Sequence, residues 1–335
     1  MQKPDAIRYP VRLALGLAML LAVGPALGQP SEPAASTRPI RLIVPFAPGG
    51  ITDILARALA EPVGQRLGAS IVVENRTGAG GLLSNEACAR AAPDGETLCI
   101  GSAATHSLLP YLHPGRLGAS PAHFTPISRI GEEPSLIAVR RDHPGHDLPA
   151  FLAWAHRQPV VQYGAAGTGG TSHLMTIRMA RSVGLNMEPI VYRGGSLVSN
   201  ALTAGEVPVA IGPVSTFLAG IRAGTLAPVL VMGPNRSLAL PNVPTLAETL
   251  IPGFGFTAYT GVLGPAGMAP ALTERIHAAI LDSFRNPTLR LRVESLGFDI
   301  NMAGPAEFAE WLARTAPEWR GIVEQTRDTV ATPSD

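Results

Sequence analysis

Short apolar runs alternate along this chain with longer segments in which apolar residues recur at helical spacing. The first run, at residues 41–46, is followed by a glycine turn and then by a helical pattern over residues 52–67. The same order of strand, glycine turn and helix recurs through most of the chain. Such alternation predicts an α/β fold with mostly parallel sheets and helices on both faces of each sheet.

The pattern can be followed to the end of the chain. The length of 335 residues suits two α/β domains of ordinary size. Further strands are predicted at residues 70–73, 97–101, 136–139, 160–163, 189–192, 207–211, 227–232 and 257–263. A further helix is predicted to open at the glycine-rich residues 78–81 and to run to about residue 92. Others are predicted at residues 148–157, 172–183, 196–204, 215–223, 271–285, 287–296 and 305–326.

The first residues have the pattern of an export signal. Residues 1–12 carry three basic side chains, and residues 13–23 form an apolar run too short for a comfortable membrane span. Small residues then supply a cleavage site after Gly28. We therefore expect a signal peptide at 1–28, a disordered lead-in at 29–36 and a periplasmic mature protein. The alternative is a buried helix or a membrane anchor.

Charge and lysine content exclude several functions. Removal of residues 1–28 leaves a net charge of −1, which gives no electrostatic footprint for nucleic acid or an anionic membrane. Lys3 is the only lysine, so the mature chain has no lysine for a Schiff base or a P-loop. No cofactor is expected.

The two cysteines are Cys88 and Cys99. Cys88 lies late in a predicted helix, and Cys99 lies in the strand that follows it. An oxidising compartment lets a disulfide persist, and an adjacent helix and strand can bring two cysteines within bridging distance. We expect a disulfide, and two buried free thiols are the alternative.

The turn after the first strand is the first candidate binding site. It reads P-F-A-P-G-G-I-T-D over residues 45–53. Glycines let a ligand approach the backbone closely, and a helix N-terminus offers N–H groups and a partial positive charge. A carboxylate or a phosphate suits such a site. The alternative is that Thr52 or Asp53 is only the N-cap of the helix.

A second glycine turn reads G-A-A-G-T-G-G-T-S-H over residues 164–173 and supplies hydroxyls at another helix start. The two turns fall in different predicted domains, so two sheets that face each other at their carboxyl ends would form a cleft between the turns. The second turn also superficially resembles a dinucleotide fingerprint, but its third glycine is absent.

Other constellations are weaker. The segment G-S-A-A-T-H after a strand places Ser102, Thr105 and His106 where they could face a cleft or simply cap a turn. His143 and His146 lie in a tight loop but lack further ligands at metal-site spacing, so no metal is expected. No G-x-S-x-G elbow occurs, which argues against a hydrolase.

The chain resembles the substrate-binding receptors of tripartite tricarboxylate transporters, often called Bug receptors. The resemblance covers almost the whole mature chain and depends on six motifs occurring in this order. They are R-P-I-R-L-I-V-P-F-A-P-G-G-I-T-D at 38–53, V-V-E-N-R-T-G-A-G-G at 72–81, A-A-P-D-G-E-T-L at 91–98, G-T-G-G-T-S-H-L at 167–174, V-Y-R-G-G at 191–195 and L-P-N-V-P-T-L-A-E at 240–248.

The resemblance implies a two-domain periplasmic binding fold, similar to type II, with a ligand cleft between the domains. Domain 1 would comprise residues 37–139 and 257–335, and domain 2 residues 140–256. Backbone N–H groups and waters would hold a ligand carboxylate between the two glycine turns. By position, the implied ligand-binding residues are Pro48, Gly49, Gly50, Thr52, Asp53, Thr105, His106, Thr168, Thr171, Ser172, Tyr192 and Ser215.

The implied function is that of a non-catalytic solute receptor. It would bind a dicarboxylate or tricarboxylate, an amino acid or an aromatic acid, and deliver it as a monomer to membrane transporter subunits. A soluble carboxylate sensor that docks on a signalling protein is an alternative, and an exported hydrolase is a weaker one. No nucleic-acid partner is expected.

This chain departs from the family pattern at positions that concern the ligand. Ile51 replaces a small residue and would narrow the cleft if its side chain points inward. Gly212, Pro213 and Val214 stand where many relatives carry an aspartate that reads the far end of the ligand, and Arg193 replaces a common lysine. These changes favour a ligand with a neutral or apolar distal end.

Overall fold

Two β-sheets organise the chain in the computed structural model, which describes residues 38–166, 170–192, 194–255 and 257–330, with side chains described to residue 325. The predicted signal peptide at 1–28 and the lead-in at 29–36 lie outside these residues. The strands are β1 (Ile40–Val44), β2 (Ile71–Asn75), β3 (Thr97–Ser102), β4 (Phe124–Glu132), β5 (Ser135–Arg140), β6 (Val161–Ala166), β7 (Met187–Tyr192), β8 (Val209–Pro213), β9 (Leu226–Met232), β10 (Tyr259–Pro265) and β11 (Asp299–Ala303).

Helices connect the strands, and several begin where the sequence supplies a cap. The Asp147 carboxylate accepts a hydrogen bond from the Ala150 N–H, and the Asn286 side chain accepts one from the Thr288 N–H. The helices are α1 (Ile51–Leu67), α2 (Leu82–Ala89), α3 (Leu109–Leu112), α4 (Leu148–Ala155), α5 (Thr171–Ser182), α6 (Gly195–Ala204), α7 (Val214–Arg222), α8 (Leu246–Thr249), α9 (Pro270–Ser283), α10 (Pro287–Glu294) and α11 (Pro305–Val330).

The first sheet has the strand order β11-β4-β10-β3-β1-β2, and the second has the order β7-β6-β8-β5-β9. The prediction of mostly parallel sheets is wrong. Strand β10 runs antiparallel to β3 and β4, β11 antiparallel to β4, and β5 antiparallel to β8 and β9. Both sheets are therefore mixed, because strands enter them from the opposite lobe as well as through helical crossovers.

Two strands of the first sheet, β4 and β11, were not predicted. Strand β4 contains Pro126 and Gly131, which both weaken a strand pattern. The chain passes from the first sheet to the second between β4 and β5, through Glu133 and Pro134. Sheet membership thus favours a first domain boundary at Glu133 and Pro134, earlier than the predicted one after Val139. The domain limits themselves stay a prediction.

We call each sheet with its helices a lobe. One face of the first sheet packs on α1 and α9. The hydrophobic cluster on this face includes Val44, Leu59 and Ile276 but not Ile43. A larger cluster contains residues of both sheets, including Ile43 and Val209. Helix α11 contributes to this larger cluster, since it contacts β4 in the first lobe and α5 in the second.

A disulfide joins Cys88 on α2 to Cys99 on β3, with the two Cα atoms 6.1 Å apart. This is the pair that the compartment argument favoured, and both residues are fully buried. The bond ties a helix to the middle of the first sheet. Among the helices that the structure describes, none is long and apolar enough to cross a membrane.

Candidate functional site

A cleft lies where the two lobes meet. Because β1, β3 and β4 run in one direction, their carboxyl ends share one edge of the first sheet. The carboxyl ends of β6 and β8 share the edge of the second sheet at which β5 begins. The chain passes between these edges through Glu133 and Pro134, which we call the crossing. The Glu133 N–H donates to the Ala258 carbonyl over 2.9 Å. Ligands of open α/β sheets bind at such edges.

The first loop, residues 45–50, connects β1 to α1. Gly49 has φ +88°, in the left-handed region that favours glycine, and Pro48, Gly49 and Gly50 are exposed. Asp53 is only 3% exposed, and its carboxylate accepts from the Gly49 N–H over 3.0 Å and from the Arg57 Nε over 3.0 Å. These hydrogen bonds fix the conformation of the loop from its buried side.

Asn75 completes this arrangement. Its Nδ2 donates to the Asp53 carboxylate over 2.9 Å and to the Phe46 carbonyl over 2.9 Å. Burial alone would raise the pKa of Asp53, but the hydrogen bonds from Arg57, Gly49 and Asn75 outweigh burial and lower it. Asp53 is therefore a charged support for the loop, and Thr52 is buried beside it at 5% exposure.

The second loop connects β6 to α5. Thr168 was predicted to bind the ligand, and it lies outside the described residues. Thr171 and Ser172 occupy the first turn of α5, and both are partly exposed. The Ser172 hydroxyl forms a 2.8 Å hydrogen bond with the Ser135 hydroxyl on β5. This bond ties the start of α5 to the strand that leaves the crossing.

The two helix starts are alike. Gly50 is the N-cap of α1 with φ −75° and ψ 164°, and Gly170 is the N-cap of α5 with φ −75° and ψ 167°. No side chain caps either helix. The first helical bonds run from Ile54 to Gly50 and from Leu174 to Gly170, so the N–H groups of the residues between lie outside the helical ladders. Each lobe thus presents a helix N-terminus suited to an anion.

Thr105 and His106 do not lie on an open surface. They belong to a π-helical segment, Ala103–Leu108, and are 1% and 5% exposed. The Thr105 hydroxyl hydrogen-bonds the His106 Nδ1 over 2.8 Å, and the imidazole packs edge-on against Phe124 at 4.4 Å. Burial lowers the pKa of His106 to about 3, so the ring is neutral. In this conformation both residues support the first lobe from inside.

Tyr192 and Ser215 come from the ends of β7 and β8. The Tyr192 ring is partly buried against the core of the second lobe, close to Gly164. Ser215 lies in the first turn of α7, and its hydroxyl donates to the Glu133 Oε1 over 3.0 Å. Of the two, only Ser215 has a hydrogen bond that reaches the crossing.

Sequence reasoning missed three side chains at this site. Glu133 and Ser135 flank the crossing, and Asn75 supports the first loop. Burial raises the pKa of Glu133 to about 7, and the Ser215 hydrogen bond lowers it only in part. No local signal in the sequence marks Glu133, because the strand before it, β4, lacks a clean strand pattern.

The weaker alternatives gain no geometric support. His143 Nδ1 accepts a hydrogen bond from the Gly145 N–H, and its ring packs edge-on against Trp154 at 4.4 Å. Within the described ranges, no group of three or more His, Cys, Asp or Glu residues could hold a metal ion. The hydroxyl of Ser172 is engaged by Ser135.

A depression of about 530 Å³ lies elsewhere, between α1 and β2, lined by Arg57, Gly64 and Ile71 among others. Its floor is the outer surface of the first lobe, and none of its lining residues belongs to either loop. We do not assign the ligand to it, because it is widely open and would bury little of a small solute.

The model of the tripartite tricarboxylate transporter family receptor, TctC, matches residues 55–327. The chain belongs to this receptor family. The predicted family is thereby confirmed, and so is the prediction that the chain is a binding protein and not an enzyme, because the family consists of substrate-binding receptors. BugT from Bordetella pertussis strain Tohama I is 28% identical over 321 residues, which cover 94% of this chain and 97% of BugT.

Two similar solved structures carry ligands. MatC (Rpa3494) from Rhodopseudomonas palustris with bound malate has a TM-score of 0.74 and 28% identity, and the match covers 86% of this receptor and 99% of MatC. R. palustris Rpa4515 with adipate has a TM-score of 0.76 and 25% identity, with 86% and 97% covered. The periplasmic binding protein BugD is also similar, with a TM-score of 0.73 and 28% identity over 86% of this chain and 97% of BugD. Similarity to periplasmic binding proteins confirms the predicted two-domain periplasmic binding fold.

Proposed function

We propose that this receptor captures a small carboxylate between its lobes in the periplasm and delivers it to the membrane subunits of a transporter. One observation carries the proposal: each lobe has an uncapped helix start, at Gly50 after β1 and at Gly170 after β6, on the sheet edge at which the chain crosses between the lobes. A carboxylate between them would accept hydrogen bonds from backbone N–H groups of both lobes. Its binding would therefore favour the closed arrangement of the two lobes.

Three further facts support a carboxylate. The malate and adipate in the two similar structures are carboxylates. The first loop is exposed and is kept in shape by Asp53 from its buried side, so its outer side remains accessible. The Thr171 hydroxyl lies beside the second helix start and can donate to an anion, and the Ser172 hydroxyl can do so when Ser135 is the donor of their shared hydrogen bond.

The family and the predicted signal peptide support delivery to a transporter. The receptor would act as a monomer, since the cleft is built from the two lobes of one chain. Uptake of a labelled ligand by cells that lack the receptor gene, with and without the gene restored, tests delivery. Uptake that does not depend on the receptor would leave binding intact as a function and exclude delivery.

The ligand is identified first by mass spectrometry of what the purified mature protein carries, and then by thermal shift with monocarboxylates, dicarboxylates and tricarboxylates, amino acids and aromatic acids. A ligand at about one hundred times its Kd should add roughly 2.7 kcal/mol of stability, which a melting curve detects. If nothing in this panel binds, the carboxylate proposal is wrong.

The decisive variant is Gly170→Asp. The backbone of Gly170 lies where any residue is tolerated, and a Cβ there meets no heavy atom within 4 Å. An aspartate would cap α5 itself and place a negative charge where we place the ligand carboxylate. We expect the unliganded protein to melt at a higher temperature and the affinity for its carboxylate ligand to fall by about 30-fold or more.

Gly170→Ala is the matched control, because it adds the Cβ without the charge or the acceptor. Its affinity should stay within about threefold of the parent protein. Equal losses in the two variants would point to crowding, and unchanged binding in Gly170→Asp would show that the anion is held elsewhere.

A further inference from the structure

The geometry points to Glu133 as the residue that selects the group at the other end of the ligand: its carboxylate, oriented by Ser215, receives a protonated nitrogen. The solute would then be an amino-carboxylate, with its carboxylate at the two helix starts and its ammonium at the crossing. This inference depends on the proposed function, because it assumes that the cleft is the ligand site.

The position of Glu133 is the first support. It lies on the crossing, where the edges of both sheets meet, and its N–H is fixed by the Ala258 carbonyl. The next residue, Pro134, accepts a 3.0 Å hydrogen bond from the Val214 N–H at the start of α7. These backbone bonds fix the base of the side chain, and the Ser215 hydroxyl fixes its Oε1.

The missing countercharge is the second support. Among the described residues, no arginine or histidine forms an ion pair with Glu133, although other carboxylates of the first lobe do have such partners. The side chain is only partly exposed, and its pKa of about 7 reflects the cost of burying the charge. An ammonium group from the ligand would relieve that cost, since buried charges are stable when paired.

The length available is the third support. Ser135 hydrogen-bonds Ser172 at the start of α5, and Glu133 is two residues before it. Two residues of extended chain span at most about 7 Å. The backbone of Glu133 is therefore close to the α5 start, which suits a ligand with its charged groups a few bonds apart, as in a short aliphatic amino acid.

Other charged groups near the crossing have partners of their own. On β4, Arg129 forms a 3.1 Å ion pair with Glu132. On β11, Asp299 is paired in register with Glu132 and accepts from the Leu238 N–H over 3.1 Å, and burial raises its pKa to about 6. On α7, Arg222 is bonded to the Ser295 carbonyl at the far end of the helix. Burial also raises the pKa of Glu132, and the ion pair with Arg129 lowers it in part. Asp299 and Glu132 are thus the groups that could be mistaken for Glu133 in a titration.

Glu133 changes what is expected of the distal end of the ligand. The absence of an acid at Gly212 and Pro213 favoured a neutral or apolar distal end, because no carboxylate follows β8. In the structure, a carboxylate reaches the end of β8 from the crossing through Ser215. The chain therefore keeps an acidic reader of the ligand, supplied by a different element.

The test is a calorimetric comparison of two matched trios at pH 7.5. One trio is 4-aminobutyrate, succinate and butyrate, and the other is 6-aminohexanoate, adipate and hexanoate. We expect the amino acid of at least one trio to bind about tenfold or more tightly than its two matched acids. Tighter binding of the dicarboxylate or the monocarboxylate would overturn the inference and leave the proposed function standing. If no member of either trio binds, the inference is overturned, and the wider carboxylate panel decides the proposed function separately.

The pH dependence supplies a second readout. A cation binds the ionised form of Glu133, so the affinity for the amino acid should fall as the pH drops from 8 to 6 through the pKa of about 7. Glu133→Gln should lower the affinity at pH 8 by about 10- to 100-fold and abolish this dependence. A dicarboxylate that shares a proton with Glu133 would show the opposite slope, and that result would overturn the inference.

Three variants complete the design. Ser215→Ala keeps the carboxylate but frees it, and should weaken binding of the amino acid about threefold to tenfold. Asp299→Asn removes a neighbouring carboxyl whose pKa burial raises to about 6, and should leave the slope in place. Glu188→Gln changes an exposed carboxylate on β7 and should bind as the parent protein does. Loss of the slope in Asp299→Asn alone would assign the titration to Asp299 and overturn the role of Glu133.

Discussion

The two lobes offer the same kind of helix start to the ligand, but each lobe fixes its helix start by different hydrogen bonds. In the first lobe, the Asp53 carboxylate collects donors from Gly49, Arg57 and Asn75, all of which belong to that lobe. In the second lobe, a pair of hydroxyls does the work, and Ser135 belongs to the strand that leaves the crossing. One helix start is fixed within its lobe, and the other is tied to the point where the lobes join.

This difference separates two tasks that a closing receptor has to combine. The first loop can be a preformed surface, because its support does not involve the other lobe. The second helix start is connected to the crossing, so a rearrangement at Glu133 and Pro134 can reach it through Ser135. We expect variants that disrupt the hydrogen bonds of Asp53 to lower stability, and variants of the Ser135–Ser172 pair to change ligand affinity.

The largest effect should come from Asp53→Asn. This change keeps the shape of the side chain but removes the charge that faces Arg57, and it should lower the free energy of unfolding by about 3 kcal/mol in urea at pH 7. The pKa of Asp53 lies below its ordinary value of 3.8. The stabilisation is therefore present above that value and is lost as the pH falls through the lower folded-state pKa.

Asp142→Asn is the comparison for this variant. Asp142 is an exposed carboxylate that is also paired with an arginine, Arg140. Its replacement should leave the unfolding curve nearly unchanged. Equal losses from the two variants would mean that the first loop gains nothing from its buried charge.

A slightly smaller effect is expected from the Cys88→Ser and Cys99→Ser double variant. The disulfide closes a short segment, with a sequence separation of 11, and confers roughly 2 to 3 kcal/mol on the first lobe in the chain-entropy model. Unfolding in urea should lose that amount, while ligand affinity per folded molecule stays close to that of the parent protein. A large loss of affinity with intact folding would connect the disulfide to the cleft instead.

The smallest effect should appear in a double-mutant cycle of Ser135→Ala and Ser172→Ala. A hydrogen bond between two neutral, partly buried hydroxyls contributes about 0.5 to 1.5 kcal/mol. We expect a coupling energy in that range for ligand binding, measured by calorimetry, and less for unfolding. A coupling that is larger for unfolding than for binding would place this pair among the structural supports, beside Asp53.

Much of the fold could be predicted because its helices follow the 3.6-residue period and its glycine turns punctuate them. The strands that were missed have physical reasons. Strand β4 carries Pro126 and Gly131, and β11 mixes Asp299 and Asn301 with apolar residues, so neither shows a clean strand pattern. The direction of β10 could not be read locally, because the chain reaches it only after passing through the whole second lobe.

The site was predictable where the backbone carries the chemistry and less so where side chains do. Glycines at 50 and 170 mark the helix starts in the sequence. The pattern around His106, by contrast, has the same polar residues whether the segment faces a cleft or the core, and only packing against Phe124 decides between them. Glu133 precedes a proline and follows another glutamate, which is typical of an exposed turn until two sheets enclose it.

Helix α11 contacts both lobes and therefore affects how they can move relative to each other. Trp311 packs with Tyr259 in the first lobe at 4.7 Å, while the backbone carbonyl of Gln325 accepts from Arg181 on α5. Pro317 lies between these contacts and cannot donate to the Ala313 carbonyl, so α11 resists bending least near its midpoint. A rotation of one lobe relative to the other has to bend or displace α11. The bending stiffness of this helix should therefore limit how far the receptor can open.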